Sequence, residues 1–234
     1  MRVHLLSAPN TILTDDYPLD GFGTRTRLFS ELLLWMGHEV ILYGVEGSTA
    51  PCSEFVACVL RTEYDAFVGT TPYQHVPFEG TTPLFLTFNT RAAQSIRDRK
   101  RHGDLIATIA GHAQQFISDH HPELRFLEYS IGYKGVCAPY RVYQSHAWRH
   151  IVHWFTGIDG GRDFDAVIPP WFNALDFELT RQPEPYVLYC GRVVASKGIA
   201  TACEAAQHAG VKLVVIGHGD PALITYGEWL GAVS

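Results

Sequence analysis

The stretch from Pro185 to Asp220, PYVLYCGRVVASKGIATACEAAQHAGVKLVVIGHGD, leaves this chain few ways to fold. Tyr186-Val187-Leu188-Tyr189 is a compact apolar run of strand type that ends at Gly191-Arg192. Ser196-Lys197-Gly198 then leads into a helix expected from Lys197 to Ala209, and Val211 to Ile216 reads as the next strand. Strand, crossover helix and strand make a β-α-β unit, whose two strands run parallel. The turn between the first strand and the helix gathers two cations and the free N–H groups of a helix N-terminus at one spot. Such a spot suits a diphosphate, because the helix end supplies donors and a partial charge while Arg192 and Lys197 supply full ones. Gly191 lets the backbone approach closely. The alternative is that Arg192 and Lys197 form surface ion pairs on an ordinary Rossmann-like unit.

The rest of the chain repeats this alternation. Val3 to Leu6 is an apolar run of the kind a strand buried on both faces needs, followed by a polar loop with Pro9, Asp15, Asp16 and Pro18. After Gly21-Phe22-Gly23, residues Leu28, Leu32 and Trp35, flanked by Phe29, Leu33 and Met36, recur at helical spacing. Gly37 stops that helix and Val40 to Tyr43 is the second strand. Further strands are expected at Ala66–Val68, Leu84–Thr87, Leu105–Ile109, Arg125–Tyr129 and Ala166–Ile168, and a helix over Tyr140–Phe155. Pro169-Pro170 cannot continue a ladder. The expectation is an α/β fold: a Rossmann-like parallel-sheet domain over residues 1–170, then a crossing segment and the start of a second Rossmann-like unit over 171–234. About 50 residues follow the link from Arg181 to Pro185, whereas a doubly wound domain takes on the order of 100 or more, so the second unit reads as incomplete.

Composition narrows the function. With 47% apolar residues and no apolar run near the ~20 that a membrane span requires, no span is expected. Met1 leads straight into the first strand without an export signal, so a cytoplasmic protein is expected. The five cysteines include no C-x-x-C pair, which fits reduced thiols rather than disulfides or a zinc ribbon. A net charge of −6 argues against nucleic acid as a partner, and the basic run Arg97 to Arg101 reads as a solvated helix end or loop. His146, His150 and His153 lie at i, i+4 and i+7, but no carboxylate or cysteine joins them at a useful spacing; no metal is expected. Tyr129, Tyr133, Tyr140, Tyr143, Trp148 and Trp154 read as core residues or as a wall for stacking a sugar. Gly132-Tyr133-Lys134-Gly135 is a turn after a strand, where parallel sheets present ligands, so Lys134 and Arg141 are candidates to contact phosphate. No G-x-G-x-x-G follows the first strand, which argues against a dehydrogenase.

The Pro185–Asp220 segment resembles the start of the C-terminal domain of retaining glycosyltransferases of GT-B architecture, of the family 4 type. In those enzymes a strand-Gly-Arg-loop-Lys-Gly-helix unit holds the diphosphate of a sugar nucleotide. The resemblance implies Arg192 and Lys197 as catalytic groups that neutralise the departing nucleoside diphosphate. It implies Gly191, Gly217 and Gly219 (in Gly217-His218-Gly219-Asp220), with Gly21, Phe22 and Gly23, as donor-binding. Gly37-His38-Glu39-Val40 resembles the G-H-x-V step of the acceptor domain, and Val167 to Leu179 the interdomain crossing. Glu128 to His150 resembles a phage and bacterial subgroup. Asn89 stands where relatives often have histidine, and with Tyr133, Lys134 and Arg141 it is implied as acceptor-binding. No cofactor is implied beyond the nucleotide-sugar donor, and the acceptor is a glycan or another hydroxyl compound. The family's paired donor-binding glutamates would lie beyond Ser234, so the expectations are a truncated chain, either a transferase or a non-catalytic binding module, and a homodimer formed through exposed apolar faces.

Overall fold

The computed structural model describes residues 1–17, 20–177 and 182–232; Pro18 of the first loop, Leu179 and Arg181 of the crossing segment, and Ser234 lie outside the described residues. The chain divides into two compact units, Met1–Asn173 and Ala174–Ser234. No helix among the described residues is long and apolar enough to cross a membrane.

The first unit runs β1 (Arg2–Leu6), α1 (Gly21–Trp35), β2 (Glu39–Val45), β3 (Glu54–Val59), α2 (Arg61–Val68), α3 (Pro83–Arg99), β4 (Leu105–Thr108), α4 (Gln115–Asp119), β5 (Arg125–Ile131), β6 (Tyr140–Tyr143), α5 (His146–Thr156) and β7 (Asp165–Val167). Its seven strands are parallel in the order β3-β2-β1-β4-β5-β6-β7. Every residue of β1 is buried, as a central strand covered on both faces must be. One cluster, including Ile41, Tyr43, Phe88 and Ile106, fills one side; another, including Val3, Leu42, Leu33 and Tyr129, fills the other. The order reverses between β1 and β4, and loops at the carboxyl ends of those strands flank a crevice where such sheets bind ligands.

Three expectations give way. Leu84–Thr87 is not a strand but lies in α3, which Thr82 caps by accepting from the Phe85 amide at 3.3 Å, with Pro83 in the first turn. The buried positions Leu84, Phe85, Phe88, Ala92, Ala93 and Ile96 follow a helical period that a four-residue window conceals. Ala66–Val68 ends α2, whose start is tied by the Leu60 amide donating to Glu63 at 2.9 Å. The helix expected over Tyr140–Phe155 begins late: Tyr140–Tyr143 is β6, beside β5, and Ser145 caps α5 by accepting from Trp148. The β3 strand was not legible as a strand, because its alternation is short and irregular.

The second unit holds β8 (Tyr186–Cys190), α6 (Ile199–Ala209), β9 (Lys212–Ile216) and β10 (Glu228–Trp229), a parallel sheet ordered β10-β9-β8. Val193, Ile199, Cys203, Leu213 and Val215 form its core.

At the amino edge of the large sheet, His4 is fully buried between Tyr43, whose hydroxyl lies 2.8 Å from Nδ1, and Asp104, 3.1 Å from Nε2. Arg2 Nε and the Arg101 amide also donate to Asp104. Burial holds the His4 pKa below 6.5, as it does that of His121, whose ring meets the Ala93 carbonyl. A histidine with a depressed folded pKa supports stability above ~6.5 and loses that support as the pH falls towards the folded value, at up to about 1.4 kcal/mol per pH unit. The buried carboxyl of Glu128, pushed up by burial, works in the opposite sense at lower pH. Urea unfolding between pH 7.5 and 5.5 should therefore show stability falling with pH, and the slope should flatten in His4→Gln; equal slopes for both proteins would contradict this.

Candidate functional site

In the second unit, β8 and β9 end side by side and their loops continue in contact. The Gly191 amide donates to the Ile216 carbonyl at 2.9 Å, the Val193 amide to His218 at 2.7 Å and the Asp220 amide to Val193 at 3.0 Å. Side chains are excluded from this seam. A Cβ on Gly217 (φ +142°) would stand 1.9 Å from the Gly191 oxygen, and one on Gly219 (φ +148°) 2.1 Å from the Val193 oxygen. The Tyr189 hydroxyl donates to the Arg192 carbonyl at 2.9 Å and reaches the Lys197 carbonyl at 3.4 Å, tying together the two residues singled out as cations.

Arg192 and Lys197 are both exposed, and among the described residues neither is paired with a carboxylate. The N-terminus of α6 follows at once. Its cap is Gly198, in the left-handed region (φ +75°), and no side chain accepts from its first amides. Two free cations thus flank an open, electropositive helix end, an arrangement able to take up an oxyanion.

The N-terminus of α1 is different. Asp20 accepts from the Phe22 amide at 3.1 Å and the Gly23 amide at 3.0 Å, and also from the Thr11 hydroxyl. A carboxylate of the chain itself already occupies the anion position there. The Asp-Gly step before the apolar stripe carried that signal in the sequence. Gly21 is exposed, Gly23 is buried against Asp20, and Phe22 presents its ring.

That ring belongs to an aromatic wall at the switch point. Phe22 stacks on Phe78 (4.6 Å between centroids) and lies 5.6 Å from Tyr133, and Phe78 meets Phe85 edge-on at 5.3 Å. Phe78 and Phe85 were not legible as site residues, because they lie 48 or more positions from Tyr133 and join it only through Phe22, by the strand order. Tyr133 donates its hydroxyl to Glu128 Oε1 at 2.8 Å, while the Cys137 and Ala138 amides donate to Oε2 at 2.9 and 3.1 Å. Glu128 is fully buried and fixes the whole turn after β5.

The remaining singled-out residues fall apart from one another. Asn89 lies in α3, 4% exposed; its Nδ2 donates to the Ala113 carbonyl at 2.7 Å and its Oδ1 has no partner among the described residues. It lines a cavity of about 390 Å³ with Thr81, Thr90 and His112. Lys134 is exposed, its ammonium 3.7 Å from the centre of the Phe155 ring. Arg141 is a buried residue of β6, opposite Glu128 in register; its Nε donates to the Ala138 carbonyl at 2.9 Å and its buried Nη1 has no partner among the described residues. Of the histidine stripe, His146 and His150 are exposed, whereas His153 is held by Asp165 at 2.7 Å; parallel pairing of β7 with β6 supplies the carboxylate that sequence spacing had not revealed. No group of three or more His, Cys, Asp or Glu among the described residues is placed to hold a metal. Of the aromatic run, Tyr129 and Tyr143 are core, and Trp154 is 76% exposed.

No protein-family profile and no curated protein matches the sequence. Solved structures do match in fold. The glycosyltransferase AviGT4, involved in avilamycin A biosynthesis, is 19% identical over 99% of this chain with a TM-score of 0.62, and this chain spans 63% of its length. Sucrose-phosphate synthase from Thermosynechococcus elongatus is 14% identical over all of this chain and 71% of its own, with a TM-score of 0.58. The lipopolysaccharide outer core galactosyltransferase WaaB is 10% identical over all of this chain and 69% of its own, with a TM-score of 0.57. At such identities the likeness is one of fold: the α/β, Rossmann-like GT-B architecture.

The glycine seam is testable. Gly217→Ala should destabilise the second unit by at least about 2 kcal/mol, seen as faster amide exchange in β8 and β9, while exchange in β1 and β4 is unchanged. Unaltered exchange in β8 and β9 would refute the close approach.

Proposed function

We propose that the chain is the acceptor-side domain and the diphosphate-binding portion of a glycosyltransferase, which moves a sugar from a nucleoside-diphosphate donor to a hydroxyl acceptor with retention, as in the family 4 type and its phage and bacterial subgroup. The observation that carries this reading is the pair of exposed, unpaired cations, Arg192 and Lys197, at the uncapped N-terminus of α6. In this reading Gly191 gives the diphosphate room to approach the backbone, Gly217 and Gly219 let the seam behind it close, and Tyr189 ties the Arg192 and Lys197 carbonyls together within the loop between β8 and α6.

In the reaction so read, the bond between the anomeric carbon and the phosphate oxygen breaks while a bond from the acceptor oxygen forms on the same face. The acceptor proton passes to the departing phosphate oxygen. Arg192 and Lys197 offset the charge that grows on that diphosphate. No strong enzymic base is required, which accords with Asn89 in place of histidine: its unpartnered Oδ1 can accept from a hydroxyl. Gly21, Phe22 and Gly23 enter through the Phe22 ring, in the aromatic wall with Tyr133, rather than through amides that Asp20 already holds. Aromatic faces of this kind suit the apolar face of a sugar ring. In this reading Lys134, exposed in the turn after β5, meets the acceptor, and Arg141 supports that turn from within.

The division at residue 170 into acceptor-side and nucleotide-binding parts is part of this reading. So is a cytoplasmic setting, which fits the five free cysteine thiols. Self-association would draw on exposed apolar side chains such as Trp35, 80% exposed, and Trp154.

Calorimetric titration with uridine and guanosine diphosphates tests the central point. Arg192→Ala and Lys197→Ala should each weaken binding about tenfold at low salt, with a smaller difference at high salt. Binding of neither nucleotide, or affinity indifferent to both substitutions, would defeat the proposal.

A further inference from the structure

An apolar groove runs along the first unit beside α1. Arg25, Leu28, Leu32 and Met36 lie at helical spacing on one side of it, Val142 of β6 contributes to the floor, and Pro169 and Trp171 form the opposite wall. Its volume is about 300 Å³, room for on the order of ten methylene-sized groups at roughly 30 Å³ each. Polarity is confined to its ends. At the end nearer the carboxyl edge of the sheet stand Arg25 and Ser130, and at the other stands His38.

The two polar residues at the upper end lack protein partners among the described residues: the Ser130 hydroxyl is buried and unpaired, and Arg25 faces solvent without a carboxylate on it. Arg25 is half-buried, and among the described residues it makes no ion pair or hydrogen bond. Asp20, the carboxylate that acts on it, is committed to the α1 amides and to Thr11. Burial holds the Arg25 pKa below the ordinary arginine value, the mark of a cation short of compensation. Ser130 is 9% exposed, its hydroxyl has no partner among the described residues, and its φ of +54° makes it the one non-glycine residue among them with a positive φ. That conformation coincides with the register shift between β5 and β6, which turns the residue out of the strand's alternation. The buried hydroxyl costs stability unless something meets it, and the unpaired cation beside it at one end of an apolar trough complements an anion.

We propose that this groove binds the acceptor as a single-chain lipid whose phosphate rests on Arg25 and Ser130 and links a hydroxyl-bearing head group, the part that takes the sugar, to a hydrocarbon chain lying along Leu28, Leu32 and Met36 towards His38. The assignment rests on the glycosyltransferase reading for the word acceptor, and on the groove alone for the ligand class. Tyr129 lines the groove beside Ser130, and the turn that follows them carries Tyr133 of the aromatic wall, so the head end of the groove adjoins the switch point. A phosphate there would leave the reacting part of the acceptor near Phe22 and Tyr133 and its tail away from it.

Titration calorimetry of the intact chain with hexyl, octyl and decyl phosphate, each below its micelle concentration, tests this. Affinity should rise about fourfold per added methylene, with decyl alcohol binding at least tenfold more weakly than decyl phosphate. Arg25→Gln should abolish the advantage of phosphate over alcohol, and Leu32→Glu should weaken every chain length. Ser130→Ala, the mildest change, should cost a few-fold, and circular dichroism confirms folding of each variant. No binding of decyl phosphate, or binding equal to that of the alcohol and unmoved by Arg25→Gln, would overturn the inference. So would light scattering that finds a dimer broken by Leu32→Glu while decyl phosphate fails to bind, which would make the groove an interface between copies. Nucleoside diphosphate binding, measured on the same preparation, separates the two claims: if it persists while decyl phosphate fails, the lipid inference alone falls.

Discussion

A helix N-terminus at the carboxyl edge of a parallel sheet carries unsatisfied N–H groups and a partial positive charge that favour an anion. This chain treats its two such ends differently. In the first unit Asp20 turns its own carboxylate onto the amides of α1, so the helix end is closed. In the second unit Gly198 caps α6 with no side chain, and Arg192 and Lys197 add charge without partners of their own. In the proposed function, the closed end leaves the first unit to uncharged or aromatic-stacking groups around Phe22, and the open end suits the second unit to an anion. The division of labour proposed for the chain follows from that difference.

What keeps the turn after β5 in place is also electrostatic. Glu128 is a buried carboxylate whose pKa is pushed up by burial, and hydrogen bonds from Tyr133, Cys137 and Ala138 compensate it. Removing any one donor would leave a buried charge short of a partner, so the turn after β5 behaves as a unit. Asn89 is held by a single bond to Ala113 and keeps its oxygen free. The turn after β5 is thus held by several bonds at once, whereas Asn89, in a separate cavity, has one.

The second unit was the more legible part of the sequence, because its information is local: an apolar strand, Gly191-Arg192, Lys197-Gly198 and a helix follow each other within one short stretch. In the first unit β1, β2, β4 and β5 could be read from their buried runs. The helix α3 could not, since Leu84 to Thr87 imitates a strand until Thr82-Pro83 is read as a cap. The aromatic wall was hidden for a different reason. Phe22, Phe78, Phe85 and Tyr133 meet only because the strand order gathers their loops at one edge, and no spacing in the sequence records that order. His153 and Asp165 met in the same way, through the pairing of β6 with β7.

Amide NMR of the chain titrated with a nucleoside diphosphate most directly tests the claim that the open helix end is the diphosphate site. The account predicts that the largest shifts fall on the amides of Arg192, Gly198, Ile199 and Ala200, with those of Phe22 and Gly23 little changed because Asp20 already holds them. Shifts centred on Phe22 and Gly23, with α6 unmoved, would contradict it.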